Sequence, residues 1–131
     1  MDTQKAREIA FKILYEMEVR GSEGCPELLA LHIDEENLGE KASEFVSWIV
    51  EGVLAKNAEY NVIIEQNLKG WKYDRVSKLS LAGIKLALFE IEENEKINSS
   101  IAIAEAVKLV AKYEGETSFV NGVLGNYVRG K

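Results

Sequence analysis

Three residue types are nearly missing from this chain of 131 residues, which has one proline, one cysteine and one histidine. With Pro26 alone to interrupt them, helices are free to run long almost everywhere. Cys25 has no second thiol, so an internal disulfide is excluded and a reducing cytoplasm is the expected setting. No Cys/His cluster has metal-ligand spacing, and Asp34, Glu35 and Glu36 are followed by no glycine-centred calcium loop. Cys25 and His32 lack a third group to orient them, a poor basis for a nucleophile–base pair. The spaced glycines of GVLGNYVRG lie in and after a helical pattern with no strand before them, which argues against a phosphate-cradling loop. The four arginines (Arg7, Arg20, Arg75, Arg129) stand at ends and turns rather than gathered for an anionic substrate. No catalytic residue, cofactor or metal is expected, and binding is the better class of function. No apolar run reaches the roughly 20 residues of a membrane span, and the charged opening MDTQKAREIA does not suit an export signal.

Hydrophobic residues make up 47% of the chain, enough for one globular domain over residues 1–131 with a true core. β-branched residues never alternate for long and no hairpin dipeptide is flanked by alternating runs, so the expected class is all-α. The organising stretch is Val76–Ile91. Val76, Leu79, Gly83, Leu86 and Ala87 form one stripe at helical pitch, and Leu81, Ile84, Leu88 and Ile91 form a second. Only Lys78, Lys85 and Glu90 interrupt them. A helix apolar on nearly every side is surrounded by other elements. Gly83 at its middle costs about 1 kcal/mol relative to alanine, which points to another helix crossing closely there.

Six or seven helices are expected in all. In the first, Ala6, Ile9, Ala10, Ile13, Leu14 and Met17 recur with helical periodicity, and Asp2 or Thr3 caps its start. Lys5, Arg7 and Lys12 lie off this face, with Phe11 and Tyr15 at its flanks. Pro26 opens a short second helix ending near Leu31. A third runs over residues 40–55 with Phe45, Trp48, Ile49 and Val53 inward, and continues past a break near Asn57. Asp74 is the expected cap of the central helix, Ser99 or Ser100 of the next, and Thr117 or Ser118 of the last.

Net charge is −6 but uneven. Between Glu16 and Glu65 twelve acids face three bases, whereas from Gln66 to Phe89 five bases face Asp74 alone. Such runs are consistent with solvated helix faces or with an acidic half suited to a basic partner. Whole-molecule attraction to nucleic acid is disfavoured, so any RNA site is local or completed by a partner.

Four stretches, AREIAFKILYEME (6–18), WKYDRVSKLSLAGIKLALFEIEE (71–93), IAIAEAVKLVAKY (101–113) and SFVNGVLGNYV (118–128), occur in the order and spacing of the bacterial NusB transcription antitermination family, which the chain resembles over nearly its whole length. The resemblance implies two orthogonally packed helical bundles and no enzymatic activity. It implies pairing with the small-subunit ribosomal protein that acts as NusE, and with it the holding of single-stranded boxA RNA of nascent ribosomal RNA transcripts in an RNA polymerase antitermination complex. Carried onto this sequence, the RNA-facing residues would be Lys5, Arg7, Tyr15, Lys112, Tyr113 and Phe119. Cations hold phosphates and exposed rings stack on unpaired bases, although Tyr15 and Phe119 fit a core position equally well. Asn121 and Gly122 read as packing residues. The opening DTQKARE is poorer in cations than the arginine-rich one usual in the family. A second reading is therefore a protein-interaction module of the same fold, self-associating or binding a basic partner, with little RNA affinity of its own.

Overall fold

The computed structural model describes residues 2–70 and 72–131, in which seven α-helices and one 3₁₀ turn follow in order, with no strand among the described residues. The helices are α1 (Thr3–Arg20), α2 (Cys25–Glu35), α3 (Glu40–Ala55), α4 (Asn57–Gln66), α5 (Lys78–Glu93), α6 (Ser99–Lys112) and α7 (Thr117–Arg129), with the 3₁₀ turn at Tyr73–Arg75. Trp71, which begins the second of the four recognised stretches, lies outside the described residues. No described helix is long and apolar enough to cross a membrane.

Helix α5 is the centre. Every residue from Ser80 to Glu90 is buried, and α1, α3, α4, α6 and α7 all pack against it. The close crossing expected at Gly83 is made by α6. A Cβ added there would stand 2.6 Å from Val110 Cγ2 and 3.7 Å from the Ala106 carbonyl. A second close approach fixes α3 on α5, because the Phe89 ring lies directly over Gly52, where a Cβ would meet it at 2.1 Å. Ile13, Leu14, Leu86, Ala87 and Val123 belong to the same buried cluster, with Leu79, Ile103 and Val107 at its edge.

The two charges interrupting α5 are not on its surface. Lys85 is 2% exposed, and its ammonium donates to Glu18 Oε2 and to Asn57 Oδ1, both at 2.6 Å. One lysine thereby ties α5 to α1 and to the start of α4. Glu90, 1% exposed, accepts two hydrogen bonds from Arg7. Buried charge is tolerated only when paired and hydrogen-bonded, and both conditions are met here.

Several local expectations are corrected. Helix α2 extends to Glu35, its chain leaving through Asn37 at φ 52°. Ser77, not Asp74, caps α5 by accepting from the Ser80 amide, because Asp74 is taken into the 3₁₀ turn. Asn98, ahead of both serines, caps α6 through the Ile101 amide. Glu116 precedes α7 with no side-chain cap. At the start of the chain Asp2 is the cap of α1. Phe11 is core rather than flank, and Trp48 is 39% exposed, its ring set edge-on to Phe89 at 4.8 Å.

Gly83→Ala should destabilise the protein by about 1–3 kcal/mol through overpacking, despite the helix-propensity gain. In a Val110→Ala background the same substitution should cost less or become favourable. Urea denaturation of the four-member cycle measures this.

Candidate nucleic-acid interface

Four of the six residues carried over from the family come together where α1 meets α6. Lys5 and Lys112 line a cleft of about 270 Å³ whose walls also include Arg7, Glu8, Glu105 and Lys108. Beside it, a groove of about 350 Å³ is lined by Phe11, Lys12, Tyr15, Glu16, Leu79 and Tyr113. Tyr15 is 36% exposed at the groove, and Tyr113 is half-buried, its ring 5.7 Å from that of Phe11. Glu8 joins the two cavities by accepting from Lys112 Nζ at 2.9 Å and from the Tyr113 hydroxyl at 2.5 Å.

The electrostatics follow from these contacts. The Tyr113 and Lys112 hydrogen bonds hold the Glu8 carboxyl below its ordinary range despite partial desolvation. Burial first, and then the carboxylate of Glu8, push the Tyr113 phenol up to about 12. Lys108 was not anticipated. Its signal was its position one turn before Lys112, which places both ammonium groups on one face of α6.

Two expected residues are held by the core rather than presented to this surface, although Arg7 contributes to the cleft wall. Arg7 is 4% exposed, its Nε 2.6 Å and Nη2 2.9 Å from the Glu90 carboxylate, with Glu105 at 3.8 Å and the Phe45 ring 5.9 Å from the guanidinium carbon. Burial opposes its charge, but the Glu90 hydrogen bond and the fields of Glu90 and Glu105 outweigh it, so its pKa rises further. A phosphate would have to break this pair to reach it. Phe119 is 7% exposed in α7 and belongs to the core cluster. It lines a separate groove of about 280 Å³ with Asn67, Lys69, Gly122, Asn126 and Arg129. The packing roles given to Asn121 and Gly122 are also corrected. Both are exposed, and a Cβ at Gly122 would meet nothing within 4 Å. Cys25 and His32 have separate partners, Met17 Sδ and Glu16 Oε1.

The fold is shared with solved structures. A crystal structure of antitermination factors NusB and NusE in complex with double-stranded RNA superposes with a TM-score of 0.84 at 28% identity, covering 100% of both chains. NusB of T. maritima gives 0.87 at 26% identity, over 98% of this chain and 92% of that one. These likenesses define the class, an all-helical protein of the NusB type. The sequence then fixes the family. The NusB family model matches residues 4–129, and the transcription antitermination protein NusB of Acetivibrio thermocellus is 36% identical over 133 residues, covering 100% of this chain and 91% of its own length. The chain belongs to the NusB family of transcription antitermination proteins.

Two stability measurements check this placement of charges. Arg7→Ala, which strands Glu90 in the core, should cost about 3–5 kcal/mol, far beyond what loss of a surface cation would. The lowered pKa of Glu8 means that its contribution is present above the ordinary glutamate value and is lost as pH falls through the lowered one. Between neutral and acid pH, Glu8→Gln should therefore lose less stability than the parent, as read from urea midpoints.

Proposed function

We propose that this chain acts in the cytoplasm as an antitermination factor that pairs with the small-subunit ribosomal protein acting as NusE. Together they hold single-stranded boxA RNA of nascent ribosomal RNA transcripts within an RNA polymerase antitermination complex. The observation that carries this reading is the joining of a lysine-lined cleft to a tyrosine-lined groove along α1 and α6, in a chain whose net charge is otherwise −6. Lys5, Lys108 and Lys112 take phosphates, with Lys12 at the groove. Tyr15 and Tyr113 offer ring surface to bases, which only an unpaired strand presents. Family membership and the relative's complex with NusE and RNA support the same assembly. That relative was crystallised with a duplex, so strandedness is part of the test.

The second reading, an interaction module with little RNA affinity, is favoured by one observation. Glu8 and Glu105 already occupy Lys112 and Lys108, the latter at 3.7 Å. A surface neutralised in this way gives weak attraction alone, and the basic ribosomal protein would then supply most phosphate contacts.

Titration of boxA RNA at several salt concentrations, with and without the ribosomal protein, separates the readings. The isolated chain should bind weakly with a shallow salt slope, on the order of −2, and the complex should bind more tightly with a steeper one. In the complex, Lys112→Ala should flatten the slope by about 0.7, and Tyr15→Ala should cost about 1–3 kcal/mol with little salt dependence. A duplex of the same sequence should bind less well. Unchanged RNA affinity in both variants would move the strand off this face, and a complex that binds no RNA would establish the interaction module.

A further inference from the structure

Glu8 is placed strangely for a residue in a cleft read as a phosphate site. It stands on the second turn of α1 with its side chain about one-fifth exposed, and it faces cations. Its carboxylate accepts from Lys112 Nζ at 2.9 Å, lies in the field of Lys12, and shares the cleft with Lys5 and Lys108. Its other oxygen accepts from the Tyr113 hydroxyl. Those contacts engage Lys112 and Tyr113, two of the groups that would meet a phosphate and a base. A carboxylate and a phosphate make the same demand on an ammonium group, since both offer several acceptor oxygens at similar distances. Two anions drawn to one ammonium also repel each other.

We propose that Glu8 is the resident counter-anion of Lys112, beside Asp2 and Glu105 in the same cleft, and determines what reaches that lysine. A phosphate reaches Lys112 by displacing the Glu8 carboxylate, and displacement frees the Tyr113 hydroxyl at the same time. Entry is then favourable for a strand that brings bases for the tyrosine groove as well as phosphates for the lysines. A polyanion that brings charge alone gains little from the exchange. Glu8 is a positioning and specificity-determining residue, acting through Lys112 and Tyr113 rather than by touching RNA. The opposite oxygen assignments keep the two engaged groups on one side chain, so a single event releases both. This inference rests on the RNA-binding reading.

The test uses the complex with the ribosomal protein and four versions of this chain: parent, Glu8→Gln, Lys112→Ala and the double variant. Glutamine keeps an acceptor for the Tyr113 hydroxyl and removes the charge, and near-ultraviolet circular dichroism confirms that the fold is retained. Single-stranded boxA RNA and inorganic polyphosphate are titrated across a salt series. Glu8→Gln should bind RNA several-fold more tightly, because the Lys112 phosphate contact then forms without first breaking the Glu8 pair. Its gain for polyphosphate should exceed its gain for RNA. In the Lys112→Ala background both gains should shrink. If Lys112→Ala weakens RNA binding but Glu8→Gln leaves RNA affinity unchanged or lowers it, the cleft is the RNA site and the gating role of Glu8 is overturned. Equal gains for the two polyanions would overturn its role in selectivity. Should Lys112→Ala leave RNA affinity as it was, the RNA reading of the cleft fails and this inference with it.

Discussion

Two charge pairs sealed against the central helix set the terms for everything packed around it. Arg7 and Glu90 close one place between α1 and α5, and Glu18 and Lys85 close another. Neither helix could bury these groups alone, because an unpaired charge in the interior costs several kcal/mol while a satisfied pair is near neutral. The order along the two helices is opposed: Arg7 precedes Glu18 in α1, while its partner Glu90 follows Lys85 in α5. Both pairs are satisfied together only when the two helices run antiparallel. The hydrophobic cluster contributes the bulk of the burial, and the pairs determine which arrangement of that cluster is tolerated.

The same device separates what the sequence shows from what it hides. Helix α3 was legible to the residue, Glu40–Ala55, because its apolar spacing, preceding glycine and following break agree. The buried centre at α5 and the crossing at Gly83 were legible from a pattern too apolar for any surface helix. The side chains of Arg7, Glu18, Lys85 and Glu90 were not, since charge reads as exposure until a partner is known. A signal was nonetheless present. Arg7, Phe11, Leu14 and Glu18 form one row at helical spacing, so the buried face of α1 is wider than its aliphatic stripe, as a helix held by both α3 and α5 requires. Asp2 was read correctly as the cap of α1, but the caps of α5, α6 and α7 were misplaced by one to three residues, because Ser, Asn and Asp compete for the same role and only backbone geometry decides among them.

The candidate site was legible in part for a related reason. Lys5, Tyr15, Lys112 and Tyr113 come from stretches a hundred residues apart and meet because α1 lies beside α6. Lys108 follows from Lys112 by one helical turn. Glu8 could not be read as a member of the site from sequence, since its partners Lys112 and Tyr113 are 104 and 105 residues away. The cleft mirrors the mixed charge of the chain, since Asp2, Glu8 and Glu105 line it beside Lys5, Lys108 and Lys112.

The span of the Arg7–Glu90 pair, 83 residues, also bears on how the chain is made. Synthesis delivers α1 first, at roughly 5–20 residues per second, and for several seconds its guanidinium has no carboxylate at the matching depth. Until α5 clears the ribosome, α1 to α4 can form turns and collapse but cannot close their interior around a compensated charge. Closure of the interior therefore waits on α5, about two-thirds of the way along the chain, and until then the first helix is an exposed amphipathic segment.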